Sequence, residues 1–297
     1  MARKKQLIIP LFIPFSGCTH RCVFCNQTEI TGQSALPTPT DITEKIEAYL
    51  ATWEPGDSKP EGSKDDEKNR GFKRRSREAA FYGGSFTALD KETQELLLRP
   101  AHAFVNAGRL DSLRCSTRPD AVTLSSINTL KRFSVTTVEL GVQSMDPTVL
   151  RLSGRGHTVE QTRDAVALLK GADITLGLQI MPGLPGDTFE SIIATATEVT
   201  ALAPDFVRVY PTLVLKSTPL ETLYLKGEYS AWPIAEMVRA VAEVAEIFER
   251  AEIPIIRMGL APGTELEAAL VAGPYHPAFK DLVETERNNN REKRRLA

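Results

Sequence analysis

Cysteine is scarce in this chain, with four among 297 residues. A chain of that length buries a sizeable core without covalent staples, so these few cysteines exclude a disulfide framework and favour a reducing, cytoplasmic setting. Long apolar runs are missing as well. The longest, Leu7 to Phe15, is interrupted by Pro10 and Pro14, whereas a spanning helix needs about 20 apolar residues. No membrane span is expected. Nor is one sign of charge in excess: 36 Lys and Arg stand against 38 Asp and Glu, which excludes a global attraction to nucleic acid or anionic lipid and leaves only local patches. Arg3, Lys4 and Lys5, the apolar run and then Ser16-Gly17-Cys18 imitate a short lipoprotein signal peptide. Two prolines in a β-rich run suit a buried strand better, and two further cysteines follow at once.

What the chain does contain is a regular alternation. Gln6 to Phe15 reads as a buried strand and Pro39 to Trp53 as a helix, with Ile42, Ile46, Tyr49 and Leu50 at helical spacing. Glu54 to Arg77 is rich in Pro, Gly, Ser and charge and is expected to be a disordered insertion. Lys68, Arg70, Lys73, Arg74, Arg75 and Arg77 crowd its second half, as a solvated loop or as a nucleic-acid contact. Strands are then predicted over Ala79 to Gly83, Leu113 to Thr117, Val135 to Val142, Ile174 to Met181, Phe206 to Tyr210 and Ile253 to Met258. Helices are predicted between them, over Lys91 to Ala107, Ser125 to Phe133, Val159 to Lys170, Thr188 to Ala201 and Ala235 to Arg250. This pattern predicts an α/β fold with a parallel sheet, closing as a partial (β/α)6-type TIM-like barrel over residues 1–260. Barrel enzymes work at the carboxyl ends of their strands, so the residues just after each strand are the candidates. Residues 261–297 are expected to be an extension, and Glu284 to Ala297 lose apolar periodicity, as a basic tail or a truncated domain edge would.

Three of the four cysteines, Cys18, Cys22 and Cys25, sit together directly after the first strand. Such soft ligands point to zinc or to an iron–sulfur cluster. Structural zinc wants four ligands and usually pairs two Cys-rich turns; here Cys115 is alone on a predicted strand, and His20, between two of the cysteines, would strain the loop as a fourth ligand. Three thiolates on one loop suit a cubane cluster better, since they hold three irons and leave one open. Cys115 itself reads as a small buried residue.

The arrangement C-x3-C-x2-C, with Phe24 just before the last cysteine, resembles the signature loop of the radical S-adenosylmethionine (SAM) superfamily. Gly83-Gly84-Ser85-Phe86-Thr87 resembles that superfamily's glycine-rich motif. Cys115 to Asp120 and Glu139 to Ser144 are similar to the third and fourth strands of oxygen-independent coproporphyrinogen oxidases and of the Elongator catalytic subunit's radical SAM domain. Val207 to Leu220 is similar to the Elongator segment after its sixth strand, and the likeness runs from about Leu7 to Met258.

The resemblance implies a 4Fe-4S cluster on Cys18, Cys22 and Cys25, SAM on its open iron, and reductive cleavage of SAM to a 5′-deoxyadenosyl radical that abstracts a substrate hydrogen. It implies SAM contacts from Phe24, Gly83, Gly84, Ser85, Thr117, Gln143, Arg155 and Gln179, with Arg155 placed to pair with the SAM carboxylate. A low-potential electron donor of flavodoxin or ferredoxin type would be the partner. An RNA base is favoured over a small metabolite as substrate. The departures from Elongator are its wider cysteine spacing and its acetyltransferase domain, for which the residues after Met258 leave no counterpart, so carboxymethylation of tRNA uridine is not implied for this chain. A non-catalytic metal- or cluster-binding module is the rival reading; it would use the same cysteines but not Gly83, Gly84, Gln143 and Arg155. His157, near Arg155, is expected to be a surface or hydrogen-bonded histidine rather than a proton shuttle.

Overall fold

The computed structural model describes residues 7–18, 20–26, 35–53 and 76–296. Most of the expected charged insertion, residues 54–75, lies outside them. Arg77, expected to close that insertion, instead opens a strand and pairs with Asp111 at 3.4 Å.

Seven strands form one wholly parallel sheet in the order β1 (Leu7–Phe12), β2 (Arg77–Tyr82), β3 (Ser112–Thr117), β4 (Val135–Gln143), β5 (Thr175–Ile180), β6 (Phe206–Val209) and β8 (Ile255–Met258). The sheet curls into a half-barrel, so the predicted partial TIM-like barrel is observed, with the seventh strand in place. The strands are buried almost end to end, as in a parallel sheet covered by helices. The covering helices are α1 (Pro39–Ala51), α2 (Lys91–Asn106), α3 (Leu124–Arg132), α5 (Val159–Gly171), α6 (Phe189–Ala201) and α8 (Ile234–Arg250). Thr38, Thr123, Thr158 and Thr188 each close a capping box at a helix start, satisfying amides that no helical carbonyl can reach. A short helix that periodicity missed, α4 (Pro147–Leu152), is capped by Asp146, which accepts from Thr148 N at 2.7 Å and Val149 N at 3.0 Å. Six residues are too few to show a 3.6-residue period.

A second layer of small elements follows β6. β7 (Val214–Leu215) pairs antiparallel with β9 (Leu270–Ala272), flanked by α7 (Pro219–Leu225) and α9 (Thr264–Ala269). Residues 284–296, expected as a basic tail or a truncated domain edge, lie in α10 (Phe279–Leu296), which packs along α8. This docking has a simple cause. Phe279 and Val283 join the barrel core, while Arg287 bonds to Glu246 at 3.0 Å and to Glu284 at 2.9 Å and also pairs with Glu249. Arg291 and Arg294 pair with the same acidic face of α8. Beyond Val283 the helix is held by ion pairs, so it carries no apolar stripe to read there.

Candidate active site at the carboxyl ends of the strands

A cavity of about 690 Å³ opens where the barrel strands end. Every candidate site residue read from the sequence lines it: the three cysteines and Phe24 from the loop after β1, Gly83 to Ser85 after β2, Thr117 ending β3, Gln143 ending β4, Arg155 after α4, and Gln179 on β5.

The cysteine loop is pinned from several sides. Ser85 N donates to Ser16 O at 2.9 Å, and Val23 N to Ser153 O at 3.0 Å. Leu220 N donates to Val23 O at 2.8 Å, and Asn26 Nδ2 to Lys216 O at 2.8 Å. Val23 and Phe24 also pack against the cluster of Val214, Leu220 and Tyr229, so Phe24 both lines the cavity and anchors its loop. Cys18 Sγ lies 3.5 Å from Ser85 Oγ. No disulfide joins the cysteines. Cys115, as expected, is fully buried, and desolvation first and Glu139 second push its thiol upward in pKa.

The opposite wall is built from hydrogen bonds between neighbouring strand ends. Thr117 and Thr87 share a hydroxyl contact of 2.6 Å, and Gln179 Nε2 donates to Gln143 Oε1 at 3.1 Å. Gln143 has a φ of 69°, a left-handed conformation that costs a non-glycine residue free energy and gathers at functional sites. Arg155 directs Nη1 at Cys22 Sγ, 3.2 Å away, and Nη2 at the carbonyl of Gly141; its Nε is buried without a partner among the described residues.

A floor of charge went unassigned at the level of sequence. Glu139 accepts from Tyr82 OH and Arg114 Nη1, both at 2.9 Å, and from Arg208 Nη2 at 3.1 Å. Arg114 also pairs with Glu78 at 2.6 Å, and Arg208 Nη1 donates to Tyr210 OH at 3.0 Å. Burial first, and Glu139 second, raise the Tyr82 phenol in pKa. The signal was present: Glu78, Arg114, Glu139 and Arg208 each lie within a predicted buried strand or beside one, and a charge on a buried strand needs a partner across the sheet.

Two models of known families match the chain, the radical SAM superfamily over residues 12–199 and the radical SAM C-terminal domain over residues 204–289. The chain belongs to the radical SAM superfamily. That membership makes it a radical SAM enzyme with a 4Fe-4S cluster and SAM as cofactors. Among curated relatives, the chain is 30% identical over 193 residues to the tRNA uridine(34) acetyltransferase of Methanocaldococcus infernus, covering 58% of this chain and 36% of the relative. It is 27% identical over 218 residues to human Elongator complex protein 3, covering 63% and 40%. The chain thus spans less than half the length of these relatives. Its fold matches the structure of the Methanocaldococcus infernus Elp3 with residues 1–46 deleted, at a TM-score of 0.71 and 21% identity, covering 97% of this chain and 63% of that one.

Of the two histidines weighed above, His20 lines the cavity and His157 follows Arg155 by two residues. His20, weighed as a zinc ligand, has its ring against Gly156, where a Cβ would come within 2.5 Å of it, and its Nδ1 lies 3.5 Å from Arg118 Nη2. Among the described residues no three His, Cys, Asp or Glu side chains gather to hold a single metal ion. His157 corrects the surface reading: it is 4% exposed. Burial first, and the Arg155 charge second, lower its pKa to about 3, which favours the neutral ring near pH 7.

Asp187, in the loop after β5, accepts from Gly183 N at 2.8 Å and from Ser191 Oγ. Burial raises its carboxyl from 3.8 to about 6. The folded state therefore holds a proton that the unfolded chain releases near pH 4. The stability this contributes is complete below that pH and is lost as pH rises through 6. Asp187→Asn removes the dependence, so its stability relative to wild type should grow by about 3 kcal/mol between pH 4 and 7. Denaturant titrations across that range check this, and a constant difference would refute it.

Proposed function

We propose that Cys18, Cys22 and Cys25 hold the 4Fe-4S cluster, that the surrounding cavity binds SAM, and that the chain uses them to generate a 5′-deoxyadenosyl radical. The observation that carries this reading is convergence: three thiols and eight candidate SAM contacts, drawn from separate strand ends, line one cavity. The donor chemistry fits, since thiolates are the usual ligands of such a cluster. The buried Nε of Arg155, without a partner among the described residues, fits an anionic group that arrives with a ligand. When bound, the cluster supplies one electron that cleaves the carbon–sulfur bond of SAM, and the radical released takes a hydrogen atom from the substrate.

The chain's own residues bind and orient. Phe24 offers a ring face and the backbone at Gly83 and Gly84 a close approach for the SAM amino group, with Ser85 beside it. Gln143, whose amide oxygen accepts from Gln179, keeps its own amide hydrogens for the ribose, near Thr117. Arg155 offers its Nε to the carboxylate. A non-catalytic cluster-binding module would not need these groups to converge.

The substrate we favour is an RNA base, supported by relatives named for tRNA uridine modification. A low-potential donor of flavodoxin or ferredoxin type would supply the electron, in the cytoplasm. No helix among the described residues is long and apolar enough to cross a membrane. Anaerobic reconstitution followed by dithionite and SAM should yield 5′-deoxyadenosine, and Cys22→Ala should abolish it. An intact, reduced cluster that makes none would overturn the catalytic reading. Comparing tRNA nucleosides from cells with and without the protein tests the substrate separately.

A further inference from the structure

We propose that Arg155, besides facing SAM, raises the reduction potential of the cluster by donating a hydrogen bond from Nη1 to the Cys22 sulfur. This rests on the reading that Cys22 is a cluster ligand. The contact is 3.2 Å long and lies in the interior, with Arg155 5% and Cys22 7% exposed. Cys22 is also the most deeply buried of the three loop cysteines.

No carboxylate pairs with it among the described residues; its protein contacts through the guanidinium are Cys22 Sγ and the Gly141 carbonyl. The nearby acid, Asp120, is taken by Arg118 through two bonds of 2.9 and 3.0 Å. His157, the remaining titratable neighbour, is neutral. A buried cation left unpaired costs several kcal/mol, and among the described residues the Cys22 sulfur, a thiolate once it holds the cluster, is the anion its guanidinium touches.

The contact is also fixed by backbone, not by a wandering side chain. Arg155 N donates to Leu150 O at 3.0 Å, anchoring the turn to α4, and Val23 N donates to Ser153 O at 3.0 Å, tying the residue after Cys22 to the same turn. At Gly141 a Cβ would stand 3.2 Å from Arg155 Nη2, so the missing side chain leaves the guanidinium its seat. Reduction adds one negative charge to the cluster, and hydrogen bonds to ligand sulfurs stabilise that charge and raise the potential. Buried, the bond acts at low dielectric and its effect is strengthened. Because Nη1 and Nη2 serve the sulfur and the strand, Nε remains for an arriving carboxylate. Tuning and SAM binding thus use different N–H groups.

The test is an EPR-monitored redox titration of the reconstituted protein without SAM, comparing wild type with Arg155→Gln and Arg155→Lys. Arg155→Gln should lower the midpoint by the equivalent of a tenfold change in the reduction equilibrium, about 59 mV for one electron. An unchanged midpoint at full cluster content, with only SAM binding weakened, would overturn the inference. A measurement on the wild type needs no variant to fold: with 15N-arginine labelling, pulsed EPR of the reduced cluster should show a guanidinium nitrogen coupling. Its absence would equally overturn the proposal. If Cys22→Ala retained wild-type iron and the wild-type EPR signal, the ligand assignment itself would fail, an outcome distinct from both.

Discussion

Gly84→Ala should cost the protein about 3 kcal/mol, the upper part of the range for overpacking, and should abolish cluster assembly. A Cβ at this position would stand 2.5 Å from both Ile13 O and Ser16 O and 3.2 Å from Ser16 N. All three are backbone atoms, so no rotamer change relieves the clash. The segment after β1 must move away, and with it goes the Ser85 N to Ser16 O bond that holds the cysteine loop against the β2 end. Cys18 follows two residues later. Iron content after reconstitution and a thermal melt read the two effects together. Gly171→Ala is the control, because it ends a helix and a Cβ there meets nothing within 4 Å. Near-normal iron in Gly84→Ala would show that the loop tolerates displacement and that the close approach is not required.

Glu139→Leu should be more costly still, at about 3–5 kcal/mol, the range for stripping one partner from a buried ion pair. Its carboxylate is 6% exposed and serves Arg114, Arg208 and Tyr82 at once, while Glu78 can neutralise only one of the two guanidiniums. Removing Arg208 in the same molecule restores the balance. The double variant Glu139→Leu/Arg208→Met, which keeps the Arg114 and Glu78 pair, should therefore recover part of the loss, with a coupling energy above about 1 kcal/mol in urea unfolding. Strict additivity of the two changes would show that they do not form one charge-balanced unit. Such a network contributes little net stability compared with apolar packing. Its place beneath the cavity therefore points to a role in shaping the pocket.

The helices and strands were legible because their signals are local. Ile42 and Ile46 one turn apart announce a buried helix face. What escaped were elements whose reason lies elsewhere in the chain. The helix over residues 279–296 is stabilised by Glu243, Glu246 and Glu249 of another helix, so its own sequence reads as a charged tail. The burial of His157 escaped in the same way, since nothing in Arg155-Gly156-His157 reports how the turn after α4 is covered.

By itself, the sequence determined the class of fold and the identity of the reactive loop. Alternating periods specify strands and helices, and the spacing of Cys18, Cys22 and Cys25 specifies soft ligands on one turn; both are encoded between near neighbours. Only the tertiary structure decided how Arg155 divides its hydrogen bonds and how Glu139 is shared by side chains from β2, β3 and β6. Those contacts join residues far apart in the chain. Their energies depend on burial and on which strand ends meet at the cavity, and both are properties of the closed sheet.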